Sequence, residues 1–258
     1  MENQSQASSN IANRDRAAAY CGELFGIDPE IEWQMDTAEQ MSLLAFVQRL
    51  QPECVIEVGS RFGGSMQVFS RYSKRVISCD IDTTCQERLG PKYPNAEFIT
   101  GPSQETLPPL LAKLQQEQVK VGMMLIDGDH SANGVQRDIH ALRDYRPACP
   151  MYVLMHDCFN PTARRGIRMA RWSDSQYVHA VEVDFVPGIM HHKPGFYRQM
   201  WGGFALAILM PERRTGQLTI SAKYDGMFRK LYRGSFHWPL DPQGFSARVA
   251  NRMRRLIG

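Results

Sequence analysis

The sequence predicts an α/β fold: a doubly wound, mostly parallel sheet with helices on both faces and an antiparallel strand pair towards the C-terminal end. Three observations carry that expectation. Short apolar runs alternate with segments of helical spacing through the middle of the chain, which argues for helical crossovers between parallel strands. Several runs carry carboxylates at or near their ends, as in CVIEV, RVISCDID, VGMMLID and MYVLMHD, so acids gather along one rim. The first run passes through a glycine-rich turn, GSRFGG, into a helix whose free N–H groups face whatever sits above the turn. Ligands of such sheets bind at the carboxyl ends of the strands.

Taken in order, residues 1 to about 12 are rich in Ser, Asn and Gln and read as a disordered leader. Helical spacing follows over 14–25 and 37–50; Met41, Leu44, Phe46, Val47 and Leu50 form a buried stripe in the second, and Pro52 stops it. These helices are expected to cover one edge of the core or the mouth of a site. The strand around Val55–Val58 and the turn lead into a helix at 65–72, then to a strand ending at Asp80 and Asp82. The order repeats with a helix at 84–89, a strand at 96–100, a helix at 105–116 and a strand ending at Asp127. A helix at 133–145 precedes a strand ending at His156 and Asp157. Past a helix at 163–172 the pattern changes to strands at 178–186 and 203–210, expected to pair antiparallel. Their connection, PGIMHHKPGFYRQMW, is expected to lean over the site. Beyond Pro211 come a short strand, LTISA, an aromatic and basic stretch, and a helix at 246–257.

Composition narrows the class. With 43% hydrophobic residues in 258, the chain can bury a sizeable core. A net charge of +3 is too small to argue for nucleic acid, although residues 211–258 hold ten Arg or Lys against three Asp or Glu. Cys21, Cys54, Cys79, Cys85, Cys149 and Cys158 show no C-x-x-C pair and read as reduced thiols of a cytoplasmic protein. The leader lacks a basic start and an apolar core, and the longest apolar runs, such as 204–210, are too short to span a bilayer.

The turn itself selects a ligand. Its G-x-x-x-G-G spacing at Gly59, Gly63 and Gly64 departs from the G-x-G-x-x-G of dinucleotide sites. Glu57, two residues ahead, would repel a pyrophosphate and favour a ligand carrying an ammonium or sulfonium group. S-adenosylmethionine carries both.

The ordered motifs E-V-G-x-x-x-G-G-S, C-D-I-D, L-I-D-G-D-H-S and M-H-D resemble those of class I S-adenosylmethionine-dependent methyltransferases. The chain is most similar to the branch of cephalosporin-hydroxylase-like proteins and macrolide sugar O-methyltransferases, over roughly residues 40–210. The resemblance implies a Rossmann-like sheet and a division into an N-terminal leader and helical cover (1–40), a methyltransferase domain (41–210) and a basic extension (211–258). It implies that Glu57, Gly59, Ser60, Gly63, Ser65 and Asp127 line the cofactor site. Asp80 would accept the ribose hydroxyls, and Ser103 and Gln104 fall where this fold contacts adenine. Ser103 would equally serve as a helix cap.

Methyl transfer to a hydroxyl needs orientation of the acceptor and removal of its proton. Asp127, Asp129 and His130 follow the fourth strand, and His156 and Asp157 follow the fifth; His130 is the preferred base, with Asp127 beside it. In the similar sugar O-methyltransferases an aspartate at the position of Asp127 and an acidic pair after the fifth strand bind magnesium. Here His156 replaces one acid. Magnesium prefers oxygen ligands and imidazole suits manganese, zinc or iron, so a divalent ion at Asp127, His156 and Asp157 and a metal-free hydrogen bond between His156 and Asp127 both stay open. The segment with His191, His192, Lys193, Phe196, Tyr197, Arg198 and Trp201 is the candidate for acceptor recognition.

These readings converge on O-methylation of a small molecule, a saccharide or glycosylated secondary metabolite, with phenols or catechols as the competing acceptors. A non-catalytic S-adenosylmethionine-binding or assembly protein, and an oxygenase using the Asp and His residues with iron, are the alternatives of other classes. The terminal extensions are the candidate surfaces for a homo-oligomer, RVANRMRRLIG among them.

Overall fold

The computed structural model describes residues 25–240, with side chains to Trp238. The leader and the helices expected at 14–25 and 246–257 lie outside the described residues. Helix α1 (Thr37–Leu50) leads to β1 (Cys54–Val58), α2 (Met66–Tyr72), β2 (Arg75–Asp80), α3 (Cys85–Leu89) and β3 (Ala96–Thr100). The chain continues through α4 (Ser103–Gln116), β4 (Val121–Ile126), α5 (Ala132–His140), β5 (Met151–His156) and α6 (Pro161–Met169). Strands β6 (Val178–Val186), β7 (Ile189–Met190), β8 (Met200–Trp201), β9 (Phe204–Leu209) and β10 (Thr219–Ser221) follow, then α7 (Asp225–Gly234) and α8 (His237–Leu240).

The main sheet runs β10-β6-β9-β5-β4-β1-β2-β3. From β3 to β5 all pairings are parallel, and β9 enters antiparallel between β5 and β6. Strand β10 pairs parallel with β6, and β7 and β8 form a separate antiparallel ribbon inside the connection expected to lean over the site. The chain winds outward from β1 through β2 to β3 and then returns to β4, so the order reverses between β1 and β4. That crevice is where a doubly wound sheet opens for a ligand.

Strands β1 and β4 are buried at every position, which is why both read as apolar runs, interrupted only by the buried Glu57 in β1. Alternation sends Ile56 and Met124 into one core cluster and Val55, Met123 and Leu125 into the other. Helix α1 begins with a capping box. Asp36 accepts from the Glu39 backbone N–H at 2.9 Å, and the Glu39 carboxylate accepts from the Asp36 N–H at 2.7 Å.

Helix boundaries moved where caps decide them. The helix expected at 163–172 starts two residues earlier, because Asn160 caps it through Thr162 and Ala163 and Pro161 fits its first turn. It ends at Met169, and Trp172–Asp174 is a separate 3₁₀ turn. The helix expected to reach residue 145 ends at His140.

The stretch read only as aromatic and basic is α7. Its Phe228 packs edge-on against Phe159, and the Arg164 guanidinium lies 4.2 Å from the Phe228 ring centre. Arg164, 2% exposed, pairs with Asp184 of β6 and with Asp225 of α7. No described helix is long and apolar enough to cross a membrane.

Candidate active site

The first glycine of the turn brings two strand ends together. Gly59 has φ +87°, and a β-carbon there would collide with the Asp127 carbonyl. The Gly59 N–H donates to Cys79 O and the Asp127 N–H donates to Val58 O, both at 2.9 Å, so the ends of β1, β2 and β4 are stitched directly beneath the turn. Glu57 is fully buried below it and accepts from the Ser60 and Ser65 hydroxyls. Burial pushes its carboxyl up to about 8, against the pull of those two donors. Asp80 grips the turn from the other side: Oδ2 accepts from the Ser60 and Arg61 N–H groups at 2.8 and 2.9 Å.

Above the turn is a cavity of about 610 Å³. Its floor holds Gly59, Ser60, Gly64 and Ser65, one side holds Asp127, His130, His156 and Asp157, and the N-terminal segment around Trp33 and Asp36 closes another. The hairpin connection supplies Ile189, His191, Lys193, Phe196, Trp201 and Gly202. Aromatic faces from Trp33, Phe62, Phe196 and Trp201 thus surround a charged centre, a combination suited to a polar ligand with flat or ring-shaped faces.

The centre is built on the ends of β4 and β5. His130 Nε2 stands 3.3 Å from Asp127 Oδ1 and 3.3 Å from Asp157 Oδ2, with 40% of its side chain exposed. Its hydrogen bond to Asp127 and the nearby Asp157 charge raise its pKa above the ordinary imidazole value, although burial opposes the shift. His156 bridges two acids: Nδ1 lies 2.8 Å from Asp127 Oδ1 and Nε2 lies 2.8 Å from Glu39 Oε1. Burial works against a charge on His156, but Asp127 and Asp157 outweigh it and hold its pKa well above 6.5. Asp127, for which burial alone would raise the pKa, is held at about 2 by these two imidazoles. Asp157 sits in left-handed backbone (φ +59°), which Asp tolerates better than most residues, and accepts from the Gly202 N–H at 2.6 Å. Burial raises its pKa.

The expected site residues are therefore distributed as follows. Gly59, Ser60, Ser65, Asp127, His130, His156 and Asp157 meet in the cavity. Glu57 stands under its floor, held by Ser60 and Ser65, and Asp80 clamps the turn. The Gly63 carbonyl, behind the turn, accepts from the Tyr93 hydroxyl at 3.0 Å. Ser103 and Gln104 do not line the cavity; Ser103 opens α4 and donates to Asp138 Oδ1 at 2.5 Å, and Pro102 occupies the cap position. Asp129 accepts from the Ser131 N–H, and His140 accepts from the Arg171 N–H, so both serve their own helix and its neighbour. Asn160 is a helix cap.

Sequence reasoning missed Glu39, Trp33 and the Gly202-Gly203 pair. D-T-A-E at 36–39 is a legible capping signal, but it predicts a helix start and says nothing of a partner 117 residues away. Gly202 and Gly203, with φ +78° and +80°, aim successive N–H groups at Asp157 and Glu39, both at 2.6 Å. W-G-G was readable as a turn, though its two acidic targets lie far off in sequence.

The family profile described as rhamnosyl O-methyltransferase/CmcI matches residues 31–177. The chain belongs to that family. It is thus a member of a family of S-adenosylmethionine-dependent O-methyltransferases of the class I type. The rhamnosyl O-methyltransferase/CmcI match takes in Glu39, the glycine turn and every member of the charged centre, and it stops before the hairpin wall at 189–202. No curated protein matches the chain. Similar solved structures include the O-methyltransferase TomG from Streptomyces achromogenes, in complex with SAM: 16% identity, 76% of this chain and 88% of that one, TM-score 0.49. An O-methyltransferase from Bacillus cereus, in complex with SAH, is 13% identical over 78% of this chain and 89% of that one, with a TM-score of 0.49. Cofactor-bound Rv0187 from MTB is 18% identical over 77% and 89%, with a TM-score of 0.47.

The metal implied by the resemblance can be tested against this centre. Asp127, His156 and Asp157 each offer one ligand atom, all within 4.8 Å of one another. A divalent ion about 2.1 Å from each atom needs them roughly 3–4 Å apart, so modest side-chain adjustment suffices. The set of two oxygens and one nitrogen fits a divalent ion, with a donor choice unlike an all-oxygen magnesium site.

Proposed function

We propose that the chain methylates a hydroxyl of a small molecule, a saccharide or glycosylated metabolite, with His130 as the general base. One observation carries this reading: His130 reaches the cavity with two carboxylate oxygens 3.3 Å behind the same ring nitrogen. S-adenosylmethionine, when bound, supplies an electrophilic methyl group. The remaining work falls to this chain. Gly59, Ser60 and Ser65 form the floor against which the donor would lie, with Glu57 beneath them as a fixed acid facing its positive charge. Asp80 holds the turn through Oδ2, and its Oδ1, which accepts from the Asp82 N–H at 2.8 Å, is the oxygen with room for a ribose hydroxyl.

On the acceptor side, Phe196 and Trp201 offer ring faces to a sugar, and Lys193 and His191 offer polar contacts. His130 takes the hydroxyl proton, and Asp127 and Asp157 stabilise the imidazolium that forms. A divalent ion held by Asp127, His156 and Asp157 would lower the pKa of the acceptor hydroxyl and fix its position. The segment before α1 and the hairpin connection wall off the cavity and limit water.

The full chain, S-adenosylmethionine and a panel of glycosides, free sugars, phenols and catechols are combined, and S-adenosylhomocysteine is measured. Product with glycosides, reduced on the order of 10²–10⁴-fold in His130→Ala with S-adenosylhomocysteine binding retained, is the expected outcome. Turnover confined to phenols or catechols would reassign the acceptor. Normal turnover in His130→Ala would remove His130 from the role, and tight cofactor binding with no turnover would favour a non-catalytic binding protein.

A further inference from the structure

We infer that Glu39 positions His156 as the nitrogen ligand of a divalent transition-metal ion held with Asp127 and Asp157, so that this centre prefers Mn2+ and its first-row neighbours to Mg2+. The inference rests on the methyl-transfer site proposed above, and deepens it by assigning the metal class and a positioning residue.

The geometry starts with Glu39. An ionised carboxylate only accepts hydrogen bonds, so the ring nitrogen 2.8 Å from Glu39 Oε1, His156 Nε2, carries a proton. By the same argument Nδ1, 2.8 Å from the Asp127 carboxylate, carries a proton in the metal-free site, and with Nε2–H held by Glu39 it is the Nδ1 proton that an arriving ion displaces. Nδ1 faces the correct place, 2.8 Å from Asp127 Oδ1 and 3.8 Å from Asp157 Oδ2. Metal-bound histidines characteristically give their other N–H to a carboxylate, which sets both tautomer and ring orientation.

Glu39 is itself fixed before any ion arrives. It is 3% exposed, its second oxygen accepts from the Asp36 N–H, and the Gly203 N–H donates to the oxygen that His156 uses. Gly202 is small for the same reason, since a β-carbon there would stand 2.8 Å from Glu39 Oε1. Phe204 packs against the imidazole with ring centres 5.3 Å apart. The ring therefore has a buried carboxylate behind it, an aromatic ring beside it and two acids in front. Replacing one oxygen ligand by imidazole lowers the advantage of a hard ion and raises that of a borderline one.

The test uses the full-length protein, stripped with a chelator and titrated with Mn2+ alone, read by pulsed electron paramagnetic resonance for ¹⁴N coupling and by competition with Mg2+. Expected are a directly bound nitrogen in wild type, its persistence in His130→Ala, and its loss in His156→Asp together with a shift of preference towards Mg2+. Glu39→Gln is expected to weaken Mn2+ binding about 10–100-fold. Because Glu39 also caps a helix, melting curves accompany that variant; the wild-type and His156→Asp spectra decide the ligand without it. Mn2+ bound without nitrogen coupling, coupling that survives His156→Asp, absence of binding, or wild-type affinity in a folded Glu39→Gln would each overturn the inference. S-adenosylhomocysteine binding and turnover are measured on the same samples: turnover without a nitrogen-bound metal sinks this inference alone, and a nitrogen-bound metal without cofactor binding sinks the methyl-transfer reading alone.

Discussion

The indole of Trp33 lies directly on Gly64: a β-carbon at Gly64 would collide with Cβ, Cγ and Cδ1 of that side chain. Gly64 does not have the positive φ of Gly59 and Gly63, so what it supplies is room. Both residues line the cavity, one from the floor and one from the segment that closes it. Gly64→Ala is expected to displace Trp33, weaken S-adenosylhomocysteine binding by about tenfold or more, and cost roughly 1–3 kcal/mol of stability through overpacking. Calorimetric titration and tryptophan emission check this, and unchanged affinity with an unchanged spectrum would remove Trp33 from the site.

Glu57 predicts a proton linkage. With its carboxyl raised to about 8 by burial, the residue is mostly protonated at neutral pH, and a cationic ligand above Ser60 and Ser65 would favour its ionised form. Binding of S-adenosylmethionine should therefore release a proton and tighten as pH rises from 6 towards 8, by up to about tenfold per unit. Calorimetry in buffers of different ionisation enthalpy measures the release. A pH profile equally steep in Glu57→Gln would assign the linkage elsewhere.

Much of this frame was legible in the sequence, for identifiable reasons. Strands buried on both faces, such as β1 and β4, need mostly apolar residues, and the acids just past strand ends, such as Asp127 and Asp157, fall on the rim. The chemistry at Asp127, His130, His156 and Asp157 was visible because each residue lies within four positions of a readable strand end. Glu39 and Trp33 were not, because their roles depend on α1 and the preceding segment folding across strands met much later in the chain. Ser103 shows a different limit: its place in the motif order pointed to adenine, and nothing in the sequence signalled that its hydroxyl donates to a buried acid on α5. Sequence order places a residue near a site and leaves open which neighbour its side chain will choose.

That acid, Asp138, is 1% exposed; one oxygen accepts from Ser103 and the other is without a partner. Burial lifts its pKa to about 6. The folded chain then keeps a proton that the unfolded chain gives up near pH 4, so this residue's contribution to stability falls as pH rises from about 4 to about 6 and stays reduced above that. Asp138→Asn, which still accepts from Ser103, should flatten that slope and stabilise the protein at pH 8 by on the order of 1–2 kcal/mol. Urea unfolding at pH 4.5 and pH 8 measures both ends; a variant less stable than wild type at pH 8 would show that Asp138 is needed as an anion.

Arg164 bears on how the chain comes apart. Its buried guanidinium is neutralised by Asp184 from β6 and Asp225 from α7, and the Phe228 ring covers it. Lifting α7 away would leave Arg164 with Asp184 alone and remove both the Asp225 carboxylate and the covering Phe228 ring, which costs more than fraying an ordinary surface helix. Residues 211–240 and the sheet should therefore melt in one cooperative step, and a protease should find no early cut between them.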